Sequence, residues 1–370
     1  MLLMPISKPK VLIVIARLNV GGTAQYIYEV TKGLLAQGYE VLVATGNVQG
    51  SERESEVVSE LLIRRIGYLG RKISPINDLK ARRELRELIS EFKPDLIYSH
   101  TFKAGLLART IKVEAPRIHA FHGHLLDEPE LRGWKVGLVV AIERYLAPRA
   151  KYLVTVGKKV ADELLERKIG EKSQYRSIAP GVHPLQLSSR ADAIRRLELT
   201  GDRLRVGWLA RVTAVKAPLR VIEIAERFQS VEFIMAGGGD LLDEVRANAP
   251  ANLKVLGWQS ASDIWAVCDI AISTSENEGM PVALIESQLA GIPVVARDVG
   301  SVREVIEDGE TGFIHAQVNE GYFVSLRTLI EDEKLLKKIS GAARKRSLRE
   351  FGVDRLISSH VDLIKDTLSS

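Results

Sequence analysis

Short, continuous runs of Val, Ile and Leu alternate with amphipathic segments along the whole sequence, and this alternation constrains the fold more than any other feature. The first half contains the apolar runs KVLIVIA, EVLVAT, DLIYS, RIHAF and YLVTV, and the second half contains LRVGWLA, VEFIMAG, LKVLG, DIAIST and IPVVA. Such runs are typical of parallel strands that helices cover on both faces. The pattern therefore predicts an α/β fold with parallel sheets.

One interruption divides the alternation into two series, because Pro, Gly and Ser accumulate between residues 180 and 203. A chain of 370 residues is also longer than one ordinary hydrophobic core accommodates. We predict an N-terminal domain over residues 1–182, a linker over 183–203 and a C-terminal domain over 204–345. A terminal helix over 346–370 is expected to pack back on the N-terminal domain. Doubly wound domains bind ligands at the carboxyl ends of their strands, so the residues that follow strands are the site candidates.

Composition and missing motifs narrow the function. The single cysteine, Cys268, excludes an internal disulfide, fits a reducing, cytoplasmic compartment and is predicted to be a core residue. The N-terminus is interpreted as a short tail and a first strand, and no apolar run reaches the length of a membrane span. The formal charge of +5 is a mild bias toward anionic partners. The P-loop, the dinucleotide fingerprint, the G-x-S-x-G elbow and metal-ligand spacings are absent, so we expect no metal cofactor.

Two glycine-rich turns follow strands. Gly21 and Gly22 lie between the first strand and a helix, and Gly237, Gly238 and Gly239 follow the strand VEFIMA. Glycine lets the backbone approach a ligand closely, and a helix that follows such a turn directs N–H groups toward negative charge. From the sequence alone, an ordinary turn is the better explanation for Gly21-Gly22, and it explains Gly237–Gly239 as well as ligand contact does.

Two cations, Arg211 and Lys216, lie in the loop after the first strand of the second half, just before a helix with Pro218 in its first turn. Cations five residues apart on a loop can both reach one diphosphate, and the helix dipole adds to the attraction. A solvated basic loop is the alternative interpretation.

Three acids lie around the start of a helix in the stretch SENEGMPVALIESQLAG. Glu276 and Glu278 precede the helix, and Glu286 lies inside its otherwise apolar sequence. Acids near a helix N-terminus often serve stability alone, but an interior acid needs partners or water. The N–H groups of Gly279, Met280 and Val282 are predicted to point at a ligand, whereas Pro281 has none to offer.

Histidines follow two strands of the first half. His122 and His124 come directly after RIHAF, whereas His119 alternates into the core. His100 and Lys103 end the strand DLIYSH and begin the next helix. We predict that His100, Lys103 and His124 face an acceptor, although capping of a helix is an alternative for His100 and Lys103.

Taken together, these segments resemble the retaining glycosyltransferases of family 4, which have the GT-B fold. Glu278 and Glu286 match the family's E-x7-E element, Arg211 and Lys216 match its R-x4-K pair, and Gly21-Gly22 matches its glycine turn. The segment VLGWQSASDIWAVCDIAISTS is similar to the family's nucleotide-base wall. The resemblance implies an α/β GT-B fold: two Rossmann-like, doubly wound parallel-sheet domains that face each other across a cleft.

The resemblance also implies roles. Glu278 holds hydroxyls of the donor sugar and Glu286 those of the ribose, while Arg211 and Lys216 stabilise the leaving diphosphate. His122 contacts the sugar, and the backbone around Trp258 receives the base. The implied donor-binding set is Gly21, Gly22, Gly237, Gly238, Trp258, Gly279, Met280, Val282, Leu284 and Glu286.

The function expected on these grounds is a retaining, metal-independent transfer of a hexose or N-acetylhexosamine, with UDP-sugar favoured as donor. The acceptor is a hydroxyl, on a lipid-linked sugar or an exopolysaccharide, and no nucleic-acid partner is expected. Basic stretches in the first half fit peripheral contact with an anionic membrane, with a solvated surface as the alternative. A nucleotide-sugar epimerase or a non-catalytic sugar-nucleotide-binding subunit remains an alternative function.

Overall fold

Two parallel sheets organise the chain, one in each of two units. The computed structural model describes residues 8–49, 53–70, 74–123, 133–201 and 203–369. The first unit runs up to Gly181 and takes in the C-terminal segment from Val353, and the second unit is Val182–Gly352. Every strand pair in both sheets is parallel, and the two sheets confirm the predicted α/β fold with parallel sheets.

In the described part of the first unit, seven strands form one sheet in the order β3-β2-β1-β4-β5-β6-β7. The strands are β1 Lys10–Ile15, β2 Glu40–Thr45, β3 Ile63–Arg65, β4 Leu96–His100, β5 Arg117–Phe121, β6 Tyr152–Thr155 and β7 Tyr175–Ser177. The helices of this unit are α1 Gly22–Ala36, α2 Pro75–Phe92, α3 Phe102–Thr110, α4 Trp134–Leu146, α5 Lys158–Glu166 and α14 Val353–Leu368. Strand β1 is buried from Val11 to Ile15, as its unbroken apolar sequence predicts.

In the described part of the second unit, six strands form a sheet in the order β10-β9-β8-β11-β12-β13. The strands are β8 Arg205–Leu209, β9 Glu232–Ala236, β10 Leu253–Gly257, β11 Ile270–Ser273, β12 Val294–Arg297 and β13 Gly312–His315. The helices are α6 Arg190–Arg196, α7 Leu219–Arg227, α8 Leu242–Asn248, α9 Ala261–Val267, α10 Val282–Leu289, α11 Val302–Val305, α12 Glu320–Glu331 and α13 Glu333–Glu350.

The strand order reverses beside the first strand of each sheet. In the first unit β1 lies between β2 and β4, and in the second unit β8 lies between β9 and β11. At such a switch point the two flanking connections leave toward opposite faces of the sheet, so a crevice opens at the carboxyl ends of the central strands. In the first unit Gly21 and Gly22 follow β1, and in the second unit Arg211 and Lys216 follow β8 and Glu278 follows β11.

The segment 183–203, predicted as a linker, differs from that prediction. It contains helix α6, whose N-cap Ser189 accepts a hydrogen bond from the Asp192 N–H, and it belongs to the second unit. Ala193 is fully buried, and the guanidinium of Arg196 pairs with Asp263 at the start of α9. The polar residues of the segment 183–203 therefore belong to the exposed face of a packed helix and not to a flexible linker.

The C-terminal segment crosses back to the first unit later than residue 346. Helix α13 continues to Glu350 within the second unit, where the hydroxyl of Ser347 donates to the Gln288 side chain (3.1 Å). Helix α14 then packs on α1 of the first unit. The two helices approach closely at Gly33, where a Cβ would lie 2.5 Å from Ile357. Gly33 therefore permits this helix contact.

Candidate functional site

Hydrogen bonds between loops assemble a site at the carboxyl edge of the second sheet. The N–H of Val212, after β8, donates to the Gly238 carbonyl after β9 (3.0 Å). The N–H of Glu276, after β11, donates to the Val215 carbonyl in the β8 loop (2.8 Å). The loops after β8, β9 and β11 therefore form one connected surface.

The glycine turn after β9 packs tightly against its neighbours. Gly237 has a φ of 135°, which favours glycine. A Cβ at Gly238 would lie 2.1 Å from the indole nitrogen of Trp258, and a Cβ at Gly239 would lie 2.2 Å from the Val212 carbonyl oxygen. Close packing of the loops thus requires these glycines, and it brings Trp258, whose side chain is half exposed, beside the same edge.

At the centre of this edge, Lys216 and Glu278 form an ion pair. The Lys216 ammonium lies 2.6 Å from the Glu278 Oε1 atom, and the Ser275 hydroxyl donates to the same oxygen (2.7 Å). Both charged side chains are largely buried, which strengthens their attraction relative to a surface pair. Two of the predicted site residues are therefore in direct contact, although they lie 62 positions apart.

The backbone that carries Lys216 is itself held in place. The Thr274 hydroxyl bonds the Lys216 carbonyl (2.9 Å) and the Ala217 carbonyl (3.0 Å), and its oxygen accepts from the indole N–H of Trp208 (3.0 Å). Ala217 has a φ of 46°, an unusual conformation for a residue with a Cβ. The surrounding hydrogen bonds offset that strain and fix the position of the Lys216 side chain.

Arg211 is the second cation of this edge, and it is arranged differently. Its side chain is exposed and has no hydrogen-bonded or ion-paired partner among the residues that the structure describes. Backbone bonds from Thr213 to the Arg211 carbonyl and from Lys216 to the Thr213 carbonyl, both 2.9 Å, fold the two cations into one short turn. Arg211 can therefore bind an anion as it stands, whereas Lys216 must first leave Glu278.

Glu276 serves a structural role. Arg297 donates to its carboxylate at 2.6 Å, and Arg220 pairs with its other oxygen. Burial opposes ionisation of this carboxyl, but the two guanidinium groups lower the pKa of Glu276. Its neighbour Glu278 has a lysine partner instead, so the two adjacent acids perform separate tasks.

The start of helix α10 presents unpaired backbone donors at residues 279, 280 and 282, the three positions for which the sequence predicts them. Within the described residues, no acceptor bonds the N–H groups of Gly279, Met280 or Val282. Leu284 differs from the prediction, because its N–H already donates to the Pro281 carbonyl (3.0 Å) and its side chain is buried. The helix start therefore offers unpaired N–H donors at residues 279, 280 and 282, and the N–H of Ala283 also has no acceptor among the described residues.

Glu286 lies within α10 between the fully buried Ile285 and Ser287, and its own side chain remains partly exposed. Burial raises the pKa of its carboxyl to about 7. A carboxylate in such a setting gains most from ligand hydroxyls that donate to it, because the protein supplies few compensating donors.

This environment predicts a pH-dependent cost in stability. In the unfolded chain Glu286 ionises near its ordinary pKa of 4.5, and in the folded protein it ionises only near 7, so its ionisation destabilises the fold as pH rises between those values. We therefore compare the free energy of unfolding of Glu286→Gln with that of the wild type at pH 5 and at pH 8. The difference should move in favour of the variant by about 2 kcal/mol from pH 5 to pH 8. Urea unfolding at both values measures this gain. The control Glu276→Gln should lose stability at pH 8, and an equal response of both variants to pH would contradict the assignment.

In the first unit, His122 follows β5 and lies beside His100, the last residue of β4. The Nδ1 atom of His100 is 2.8 Å from the Nε2 atom of His122. Gly21 has a φ of 147° and is followed by Gly22, the first residue of α1. These positions follow β1, β4 and β5, which are neighbours in the sheet.

The acceptor-side prediction requires correction. His100 is fully buried, and Lys103 is 5% exposed with its ammonium 2.6 Å from Asp78 in helix α2. Neither side chain faces solvent, because His100 lies against Tyr98 and His122, and Asp78 of α2 pairs with Lys103. His124 lies outside the described residues.

Sequence reasoning missed the residues that support the site. Ser275 and Thr274 belong to the polar end of DIAISTS, a signal that was available but was assigned to no task. Trp208 lies within an apolar strand and gave no signal, since only the fold brings its indole N–H to Thr274. Within the described residues, no group of three or more His, Cys, Asp or Glu side chains is placed to hold a metal ion.

Two family models match the chain. The model described as "Glycosyl transferase 4-like domain" matches residues 21–181, and the model described as "Glycosyl transferases group 1" matches residues 189–346. The matched ranges contain every residue of the edge described above, and they also contain His100 and His122 of the first unit.

Curated relatives share about a quarter of their residues with this chain. The UDP-Gal:alpha-D-GlcNAc-diphosphoundecaprenol alpha-1,3-galactosyltransferase of Escherichia coli is 24% identical, over 80% of this chain and 81% of its own length. The D-inositol 3-phosphate glycosyltransferase of Streptomyces avermitilis is 23% identical, over 93% of this chain and 83% of its own.

Solved structures show the same fold. The sucrose-phosphate synthase of Thermosynechococcus elongatus aligns with a TM-score of 0.84 and 16% identity, over 98% of this chain and 100% of its own. Anabaena HepE in complex with UDP-glucose aligns with a TM-score of 0.80 and 18% identity, over 96% of this chain and 99% of its own. Among the described helices, none has the length and apolar character that a membrane span requires.

Proposed function

Because this chain belongs to the family 4-type glycosyltransferases of the GT-B fold, we propose that it moves a hexose or N-acetylhexosamine from a UDP-sugar to a hydroxyl acceptor, with retention and without a metal ion. The observation that carries the proposal is the contact of Lys216, Glu278 and Ser275 beside the exposed Arg211 at the open start of α10. Cations, a carboxylate and free backbone donors are the groups that a diphosphate and a sugar require.

In this mechanism the two cations act on the leaving group. Arg211 and Lys216 neutralise the charge that develops on the diphosphate, together with the N–H groups at the start of α10. Lys216 must shift its ammonium from Glu278 toward a phosphate oxygen. Glu278, released in part from Lys216 and still bonded to Ser275, then accepts hydrogen bonds from sugar hydroxyls.

The other predicted residues complete the donor site. Glu286 accepts bonds from the ribose hydroxyls, and the backbone around Trp258 receives the base. His122 contacts the transferred sugar. With retention, the leaving phosphate takes the proton of the acceptor hydroxyl, so no side-chain base is required there.

The names of the relatives favour the substrate classes. The Escherichia coli relative is named for UDP-Gal and a GlcNAc-diphosphoundecaprenol acceptor, and the HepE complex contains UDP-glucose. A UDP-hexose or UDP-N-acetylhexosamine and a lipid-linked or polysaccharide acceptor are therefore the substrates to test first.

A two-step experiment tests the proposal. A thermal-shift screen of UDP-, GDP- and ADP-sugars identifies the donor, since a ligand at 100 times its Kd adds about 2.7 kcal/mol to the folded state. Transfer to lipid-linked sugars is then followed by NMR of the anomeric proton, with and without EDTA. Transfer with retention in EDTA supports the proposal. Inversion, loss of transfer that manganese restores, or epimerisation of the donor alone would overturn it.

We include peripheral contact with an anionic membrane in the proposal, on the basis of helix α2. Its buried face packs into the core, while Ile76 and Leu79 are 72% and 67% exposed. Lys80 and Arg83 are exposed on the same helix, four residues after Ile76 and Leu79 respectively, and the exposed Arg86 lies seven residues after Leu79. Exposed aliphatic groups beside cations are the pattern that binds anionic lipid surfaces.

Helix α4 adds a second exposed apolar surface to the same unit. Trp134 is 75% exposed, Tyr145 62% and Leu138 48%. Tryptophan and tyrosine side chains are suited to the boundary between lipid and water.

Removal of the α2 aliphatic groups should reduce lipid binding. We expect Ile76→Ser/Leu79→Ser to weaken co-sedimentation with phosphatidylglycerol vesicles about tenfold, because two aliphatic side chains that would insert into the lipid are lost. The matched control is Leu348→Ser, an exposed leucine of the second unit. Unchanged sedimentation of the double variant, or no binding of wild-type protein at low salt, would contradict membrane contact.

A further inference from the structure

The imidazoles of His100 and His122 form a hydrogen-bonded pair with a defined order of proton donor and acceptor. His100 Nδ1 and His122 Nε2 are 2.8 Å apart, and the two ring planes are inclined by 29° with centroids 5.1 Å apart. Burial lowers the pKa of His122 to about 3 and that of His100 well below its usual range. Both rings are therefore neutral at pH 7, and one proton lies between them.

The opposite nitrogen of His100 determines which ring donates. His100 Nε2 is buried and has no hydrogen-bond partner among the described residues. If that nitrogen carried the proton, an N–H group would be buried without an acceptor, an arrangement that is rarer in backbone groups than an acceptor without a donor. A proton on His100 Nδ1 avoids this arrangement, and it makes His100 the donor to His122.

The tautomer of His122 follows from that of His100. When His122 Nε2 accepts, the ring carries its own proton on Nδ1. In contrast to His100 Nε2, the Nδ1 atom of His122 is not among the buried nitrogens that lack a partner, and no described residue bonds it. It therefore presents an N–H group that is accessible to a ligand.

Surrounding rings hold this pair in one orientation. The Tyr98 ring lies against His100 at a tilt of 35° with centroids 4.3 Å apart, and Tyr26 meets the His122 ring edge-on at 5.0 Å. The hydroxyls of both tyrosines lie 3.1 Å from Nε2 of His360, whose Nδ1 is 2.9 Å from the Leu356 carbonyl. Helix α14 thus anchors the two aromatic side chains that prevent the imidazoles from turning over.

We propose that His100 is a positioning residue that fixes His122 as an Nδ1–H donor to an oxygen of the transferred sugar. This inference takes its ligand, the transferred sugar, from the proposed function. The arrangement of His100 and His122 does not depend on that function. In this arrangement His122 cannot act as a general base, because its Nε2 lone pair is occupied by His100 and its Nδ1 carries a proton. The assignment agrees with a retaining mechanism, which requires no base at this position.

Nitrogen NMR of the whole protein with ¹⁵N-labelled histidine tests the tautomer directly. The expected result is a protonated Nδ1 and a non-protonated Nε2 for His122 at pH 7. The reverse assignment would overturn the proposal, whether or not the protein transfers sugar. If His122 has the expected tautomer but the protein transfers no sugar, that result would count against the proposed function and not against the assignment of the tautomer.

Substitutions at two buried histidines, His100 and His119, distinguish a role in positioning His122 from a role in fold stability alone. His100→Leu should give His122 a mixture of tautomers and lower kcat/KM about tenfold, mainly through kcat. The control His119→Leu removes another fully buried imidazole, which bonds Ser99 and not His122, so it should leave the His122 signals unchanged. Equal effects of both variants on the His122 tautomer, or an unchanged tautomer in His100→Leu, would contradict the assignment.

Discussion

Arg211→Ala should lower kcat/KM for sugar transfer about 10²- to 10³-fold and leave the free energy of unfolding unchanged. The guanidinium is exposed and has no partner among the described residues, so its removal leaves no protein group unpaired. Its proposed task is to stabilise charge that forms on the diphosphate in the transition state, and the loss of one preorganised donor of this kind costs about that factor. Initial rates at subsaturating donor and a urea titration measure the two quantities.

The matched control for this variant is Arg203→Ala. Arg203 is also exposed, but it precedes β8, whereas Arg211 follows that strand. Its removal changes the net charge equally and should leave kcat/KM within about twofold, since surface charges act weakly over such distances in salt. Equal losses in the two variants would show a general effect of charge and would remove Arg211 from the site.

Glu278→Gln should change transfer and nucleotide affinity in opposite directions. The substitution removes the negative charge that neutralises Lys216, while the amide can still accept the bond from Ser275. A lysine without its counter-charge attracts the diphosphate more strongly, so UDP should bind about fivefold more tightly, equivalent to about 1 kcal/mol. Transfer should fall about 10²-fold, because the sugar hydroxyls lose a charged acceptor.

Calorimetric titration with UDP and initial-rate assays separate these two effects. Glu276→Gln is the control, because that carboxylate pairs with Arg297 and Arg220 and not with Lys216. Weaker UDP binding to Glu278→Gln would mean that Glu278 mainly holds Lys216 in position. In that case the proposed exchange of Lys216 between carboxylate and phosphate would be wrong.

The parallel sheets could be predicted because their signal is local. Continuous apolar runs such as that from Val11 to Ile15 identify strands that are buried on both faces, and the helices between them carry their own periodicity. The family 4-type GT-B assignment, which the comparisons confirm, was available from the resemblance that Arg211, Lys216, Glu278 and Glu286 carry to that family's motifs.

Contacts between distant segments could not be predicted in the same way. The Lys216–Glu278 pair depends on the placement of β8 beside β11, and the Lys103–Asp78 pair depends on how α2 packs. For Lys103 the sequence favoured an acceptor-facing lysine, because position at a strand end does not reveal whether another helix covers it. The proximity of His360 to the two tyrosines likewise depends on the return of α14 to the first unit.

The central claim is that cations of the β8 loop recognise the diphosphate without a divalent ion, and the affinity for the β-phosphate tests it most directly. The measurement compares the Kd values of UDP and UMP, in EDTA, for wild-type protein and for Arg211→Ala/Lys216→Met. Wild-type protein should prefer UDP by a factor of about 30 or more, as expected for charge-assisted hydrogen bonds. The double variant should bind the two nucleotides within about threefold of each other. An unchanged preference for UDP in the double variant would show that the β-phosphate is bound elsewhere and would contradict the account.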